Sequence, residues 1–301
     1  MKNTTFGKIS VFTASAALLS LPVYGQITGD LTTSSINYGS PLAVQTINTG
    51  FGASTGASGG DDYDGSELDA GYGTVSGGYL YLFLAGDVQG GTSQNSLQIF
   101  IGGGGSTVGQ TTLNTTVGPL SNMNGSTFAP GFNGTLAFTM NDYSGTLYVD
   151  GANLQTGGTT GGYMGGVTLT GGIGSGTSGG SYLTDVQIAF NNTQVSTMDG
   201  SNPGTPFAGG AATTTGLEMA IPLADLGTID GNIEVMADIN NGGLNYLSNQ
   251  FLPGLGVGQG NVGTAGFTDA SYFTVPVPEP SSLAFLAMSG LSTLWMLRRR
   301  K

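Results

Sequence analysis

The sequence predicts an all-β protein, a single antiparallel β-sandwich of jelly-roll-like form with glycine-rich loops. Three observations predict it. Short runs rich in β-branched, aromatic and leucine residues recur along the chain, separated by turn residues. Glycine supplies 56 of the 301 residues, gathered in clusters with no fixed period, so neither a collagen-like nor a solenoid repeat is present. Helix signals are almost absent.

The runs read as strands are Leu42 to Phe51, Tyr79 to Ala85, Ser96 to Ile101, Leu136 to Met140, Thr146 to Asp150, Val167 to Thr170, Leu183 to Phe190, Gly216 to Ile221, Ile233 to Ile239 and Ser271 to Val275. Tyr79 to Leu84 sets aromatic residues and leucines on opposite faces, and Asp185 to Phe190 places its apolar residues on one face, the period of two expected of a half-buried strand. Glu234 to Ile239 alternates less cleanly. Asn141-Asp142-Tyr143-Ser144-Gly145 reads as a hairpin loop. The one helical signal is Pro222 to Gly227, where proline opens a short turn and glycine closes it. The glycine-rich stretches 50–60, 102–109, 157–180 and 200–216 read as surface loops.

Both ends differ from this body. Residues 1–25 read as a signal peptide: Lys2 and Lys8 form a basic start, Ile9 to Leu21 an apolar helix, and Gly25 a small residue before a mature start near Gln26. Residues 26–275 form the sandwich domain, and residues 276–301 a tail with a transmembrane segment at 281–297. In that tail, Val277-Pro278-Glu279-Pro280 precedes an uncharged run from Leu283 to Leu297 and the basic end Arg298-Arg299-Arg300-Lys301. A run of about fifteen residues spans roughly 22 Å as a helix, short for a hydrocarbon core of about 30 Å unless the arginines snorkel. The cationic end favours a cytoplasmic C-terminus. A plain tail anchor has the same physics.

All six Lys and Arg residues lie in those two ends, while all eighteen Asp and Glu residues fall between Asp30 and Glu279, and the chain has neither His nor Cys. The body therefore has no triad, no cysteine nucleophile, no disulfide and no ordinary zinc site. Nucleic-acid binding is excluded by the same absence of cations. Its carboxylates must be solvated, screened or bound to a cation, and calcium suits an oxygen-only donor set.

The tail's order of motif, apolar run and basic end resembles the PEP-CTERM signal of exported bacterial proteins. That resemblance implies Sec-dependent export, transient anchoring in the inner membrane, recognition of Val277, Pro278, Glu279 and Pro280 by an exosortase with Arg298, Arg299 and Arg300 completing the signal, and release to the cell surface or extracellular matrix, in association with exopolysaccharide. In the body, Gly216 to Gly227 is similar to a strand-and-turn of the β-sandwich class that holds family 9 carbohydrate-binding modules and DOMON domains. Tyr79 to Gly86 followed by Asn95 to Ile101 resembles its early hairpin. Thr49 to Gly52, Gly65 to Asp69 and Ser248 to Leu252 resemble segments of a recurring class of PEP-CTERM proteins. Sugar-binding relatives stack ligands on tryptophan, whereas the only tryptophan here is Trp295, in the tail.

Candidate sites follow from the acids. Asp61, Asp62, Asp64, Glu67 and Asp69 place five carboxylates in nine residues, a set that could hold calcium or be a solvated loop leading into a strand. Glu218 could bind a ligand or metal, or hydrogen-bond loop backbone and pin a turn. Asp225 reads as a turn residue. Tyr63, Tyr72, Tyr143, Tyr163, Tyr182 and Tyr246 could stack on sugars or pack at strand ends. Nothing singles out a catalytic carboxylate pair. The expected function is therefore a non-catalytic protein of the cell envelope or extracellular matrix. A carbohydrate-binding module assisted by calcium is the alternative, and a polysaccharide-acting enzyme the third reading.

Overall fold

The computed structural model describes residues 25–278, apart from 52–65, 92–93, 104–107, 156–159, 181–182, 194–201, 228, 230, 265 and 268–269. Residues 1–24 of the signal peptide, the apolar tail run with Glu279, Pro280 and Arg298 to Arg300, and Asp61, Asp62, Tyr63, Asp64 and Tyr182 lie outside the described residues. Among the described residues, no helix is long and apolar enough to cross a membrane.

Thirteen strands are described: β1 (Ala43–Val44), β2 (Glu67–Ser76), β3 (Tyr79–Asp87), β4 (Asn95–Gly103), β5 (Gly134–Tyr143), β6 (Thr146–Asn153), β7 (Thr160–Thr168), β8 (Ile173–Gly180), β9 (Leu183–Asn191), β10 (Gly216–Pro222), β11 (Ile233–Asn241), β12 (Leu247–Leu252) and β13 (Phe273–Val275). They form two antiparallel sheets. One has the order β1-β2-β3-β10-β9-β8, and the other β12-β11-β4-β5-β6-β7 with β13 also paired to β11. The chain changes sheet at β3–β4, β7–β8 and β10–β11, and β4 to β7 run consecutively in one sheet. This is the connectivity of meanders, which corrects the jelly-roll expectation.

Alternation sorts the side chains into three apolar layers. Leu80, Leu82, Leu84, Met219 and Ile221 from one sheet meet Ile99, Ile101, Phe138, Val149 and Val235 from the other. This central layer is the sandwich core, and each large aliphatic or aromatic side chain buried in it contributes about 1.5–3 kcal/mol. The outer face of the seven-stranded sheet is covered by residues 108–132 and by the segment that follows β12, through Leu113, Leu120, Phe128, Leu255 and Phe267. There Phe128 stacks on Phe267 at 5.4 Å, and both meet Phe100 edge-on. The outer face of the six-stranded sheet carries Tyr72, Tyr81, Phe83, Ala189 and Ala220 under Ile27 and Tyr38 of the N-terminal segment.

Local chemistry sets the turns. The β5–β6 hairpin turns on Ser144 (φ 52°) and Gly145 (φ 76°) between the paired Tyr143 and Thr146, a type I′ geometry whose twist matches the strands. Asp142 accepts a hydrogen bond from the Gly145 N–H at 3.1 Å. The helical turn falls at Leu223–Leu226, as a single 3-10 turn closed by Gly227 at φ 75°.

Two further expectations need correction, and one segment is a new finding. The run Leu42 to Phe51 forms only the two-residue β1, because the Gln45 side chain turns back to accept hydrogen bonds from the Thr46 and Ile47 N–H groups. The backbone beyond it then pairs with residues 205–207 instead of the sheet. The stretch 157–180, read as loop, contains β7 and β8. Its glycines answer a steric need: a Cβ on Gly174 would lie 2.3 Å from the Thr168 carbonyl oxygen. The stretch Ser248 to Gln250 lies within β12 and is fully buried although polar, because its side chains bond neighbouring backbone.

Candidate functional site

Glu218 projects from the centre of β10, between β3 and β9, onto the outer face. Its carboxylate is fully buried. It accepts hydrogen bonds from the Thr28 N–H at 2.7 Å, the Gly29 N–H at 2.9 Å and the Tyr38 hydroxyl at 2.9 Å, and a short one from the Ser34 hydroxyl. Gly29, at φ 74°, is where the chain comes close enough to do this: a Cβ there would sit 2.8 Å from the Asn191 nitrogen. Burial first, and then the Glu218 charge, push the Tyr38 phenol above its ordinary range. Glu218 thus ties the N-terminal segment 25–38 to the sheet, a pinning role, with that segment in place of the turn beside β10.

Glu67 and Asp69 open β2 and are fully buried, not solvated. Glu67 stands directly opposite Asp87 across the β2–β3 pair, and a bulge between Leu68 and Ala70 accommodates Asp69. Ser66, just before them, receives hydrogen bonds from the Gln89 N–H and the Asn95 amide. Like charges directly opposite one another repel unless a proton or a metal cation intervenes. No Lys, Arg or His exists between Ile9 and Leu297 to oppose them. Sequence reading found Glu67 and Asp69 by their density. It missed Asp87, whose opposition to Glu67 depends on register. Asp225 lies in the 3-10 turn after β10, away from these acids in sequence and layer.

A third polar group lies on the outer face of the seven-stranded sheet. Register places Asp238 of β11 opposite Gln98 of β4, Gln98 opposite Thr139 of β5, and Thr139 opposite Asp150 of β6. Gln98 donates to the Thr139 hydroxyl at 3.0 Å. Asp238 is fully buried, and among the described residues neither of its carboxylate oxygens has a hydrogen-bond partner. Burial holds it well above the usual carboxylate range. Asp150, half-buried, is also raised by burial, and its Oδ1 lies beneath Gly118 at the start of the 3-10 turn Pro119–Met123. A shallow cavity of about 320 Å³ opens near the other end of this face, lined by Asn122, Asn124, Asn240, Leu244, Asn245 and Thr264.

The tyrosines separate into two kinds. Tyr72 is buried, in edge contact with Tyr38 and Phe83, and its phenol is raised by burial and then by the Asp69 charge. Tyr246 is 45% exposed and stacks on Phe51. Tyr143 and Tyr163 are exposed and share the outer face with Tyr148, which sequence reading missed although it stands in an expected strand. Tyr148 and Tyr163 lie 6.1 Å apart with a 36° tilt.

At the C-terminal end, β13 pairs with the start of β11, Val277 packs against the sandwich core, and Pro278 is exposed. Residues 276–301 match the PEP-CTERM protein-sorting motif. The motif marks an exported protein, sorted by an exosortase and anchored through its C-terminus before processing. No curated protein and no solved structure matches the chain.

Proposed function

We propose that this chain is a non-catalytic protein of the cell envelope or extracellular matrix, exported by the Sec route and released from its anchor by an exosortase to lie beside exopolysaccharide. The sorting motif at residues 276–301, placed directly after the last strand of a folded body, carries the reading. Only two residues separate Val275 from the exposed Pro278. At about 3.3–3.6 Å per residue the folded body is held within roughly 10 Å of the motif, so it stands at the membrane surface before release. Mass spectrometry of the mature protein from its host tests this. The expected polypeptide begins near Gln26 and ends at or close to Pro278 to Pro280. A chain recovered with both ends intact overturns it.

One observation favours a second reading, a glycan-binding module assisted by calcium, as the resemblance to carbohydrate-binding sandwiches implies. Glu67, Asp69 and Asp87 are buried at one end of the six-stranded sheet, next in sequence to Asp61, Asp62 and Asp64, in a body with no cationic side chain. Carboxylate oxygens are the donor chemistry calcium takes, but among the described residues no three acids are grouped closely enough to hold a metal ion, so this reading needs Asp61, Asp62 or Asp64 to complete the set. A melting temperature that rises with calcium beyond the effect of sodium at equal ionic strength, and not in Asp87→Asn, supports the metal. Identical curves with calcium and with chelator remove it.

A further inference from the structure

We infer that the outer face of β6 and β7 is a binding platform for a neutral polysaccharide, built on Tyr148 and Tyr163 with Asp150 at its edge. The inference rests on the envelope reading above for its setting and goes beyond it by naming a ligand class and a face.

The platform is constructed by neighbouring glycines. Tyr163 is 58% and Tyr148 38% exposed. Gly166 is the residue paired with Tyr148 across the β6–β7 ladder. A Cβ on Gly166 would stand 3.2 Å from the Tyr163 hydroxyl and 2.8 Å from a Thr146 methyl. Tyr163 therefore reaches along its strand over a position kept bare, to lie beside Tyr148. Gly161, paired with Ala152 on the same face, is bare as well: a Cβ there would run into the Val117 side chain of the cover. The cover over this sheet, residues 108–132, meets the platform at Gly118, above Asp150. One side of the aromatic pair is thus open and the other bounded by a carboxylate.

The chemistry of these groups selects the ligand. A sugar ring has an apolar C–H face that packs on an aromatic ring, and a rim of hydroxyls that needs acceptors and donors. Tyrosine offers the ring and a polar tip together. Tyr148 and Tyr163 present exposed rings and hydroxyls, and the half-buried Asp150 carboxylate can accept from adjacent sugar hydroxyls. Charge narrows the class. Residues 26–280 carry all eighteen acids and no Lys, Arg or His, so a polyanionic glycan is repelled at long range and meets no cation at contact. An uncharged polymer has neither difficulty, and its length lets several weak stacking contacts act together.

The test is affinity electrophoresis of the exported protein, produced from the full-length chain, through gels containing hydroxyethyl cellulose, laminarin or dextran as neutral polymers and alginate or chitosan as charged ones. At least one neutral polymer is expected to retard it. Tyr148→Ala and Tyr163→Ala are each expected to weaken that retardation about tenfold, the loss of roughly one stacking contact, with melting temperatures unchanged because both rings are exposed. Tyr163→Phe is expected to keep most of the binding, and Tyr246→Ala all of it. The inference is overturned if no neutral polymer retards the protein, if only alginate or chitosan does, or if the alanine variants bind as well as the parent. Self-association lost in Tyr163→Ala without any polymer binding would make the face a contact between copies and also overturns it. These outcomes leave the sorting reading standing, since the mature termini report on that independently.

Discussion

At the scale of single residues, two of the buried carboxylates mark the extremes, Glu218 with four donors and Asp238 with none among the described residues. Glu218 has four donors, so removing it strands two backbone N–H groups and two hydroxyls under the N-terminal segment. Hydrogen bonds to a charged group are worth about 1.5–3 kcal/mol each, and orphaned buried donors add their desolvation. Glu218→Ala is expected to cost about 3–5 kcal/mol and to expose residues 25–38 to protease before the rest, read by thermal melting and timed proteolysis. Asp238 is the opposite case. Gln98 and Phe251 are its cross-strand neighbours, neither titrates, and the body holds no cation. Its folded pKa is raised above the unfolded value of about 3.9. Between those two values the folded state holds a proton the unfolded state has lost, so stability is full below about pH 4 and falls as pH rises through the folded value. Asp142, Asp150 and Glu234 are raised by burial in the same direction. The melting temperature is expected to be higher at pH 5 than at pH 8. Asp238→Asn is expected to stabilise the protein at pH 8 by about 1–3 kcal/mol and to flatten that slope. A slope unchanged in the variant would assign it to the other three acids.

At the scale of elements, glycine has two roles that composition alone does not separate. In turns such as Gly77-Gly78 it supplies positive φ, at 59° and 87°. In β7 and β8 it permits close approach, where the two sheets meet at one edge. Gly174→Ala would put a methyl 2.3 Å from the Thr168 carbonyl oxygen, while Gly176→Ala would make an ordinary 3.4 Å contact with Val167. The first is expected to cost about 2–3 kcal/mol and the second less than about 0.5 kcal/mol, a difference that denaturant melts resolve. This is also where sequence reading stopped. Strands with apolar alternation, β3, β9 and β10 among them, were legible because burying one face leaves a period of two. The glycine-rich β7 and β8 were not, because their signal is the absence of a side chain that would collide. Glu218 could be named as a pinning carboxylate from its place in an apolar strand, but its partners lie about 190 residues earlier in the chain. The burial of Asp238 was not legible in the run Glu234 to Ile239, because alternation reports which residues share a face and not whether a loop covers that face. Asp87 and Tyr148 became part of their groups only through register.

At the scale of the whole molecule, the distribution of charge governs behaviour. The body holds seventeen of the eighteen acids with no opposing side chain, and Glu67, Asp69, Asp87, Asp142, Glu218, Glu234 and Asp238 are buried within it. Surface repulsion among the remaining acids is unscreened at low salt, where the Debye length is about 30 Å, and largely screened near 0.1 M, where it is about 10 Å. Folding brings these charges closer than the unfolded chain holds them, so salt stabilises the folded state. The melting temperature of the exported protein is expected to rise by about 3–6 °C between 10 mM and 300 mM sodium chloride, a gain of about 1–2 kcal/mol for a domain of this size. The same repulsion keeps copies apart once the anchor is removed, and the effect should vanish near pH 3, about one unit below the ordinary carboxylate values, where the surface carboxylates are largely protonated. A melting temperature independent of salt at neutral pH would mean that bound cations already neutralise the body. The carboxylates of Glu67, Asp69 and Asp87 would then be the first place to look for them, with Asp87→Asn restoring the salt dependence if they are held there.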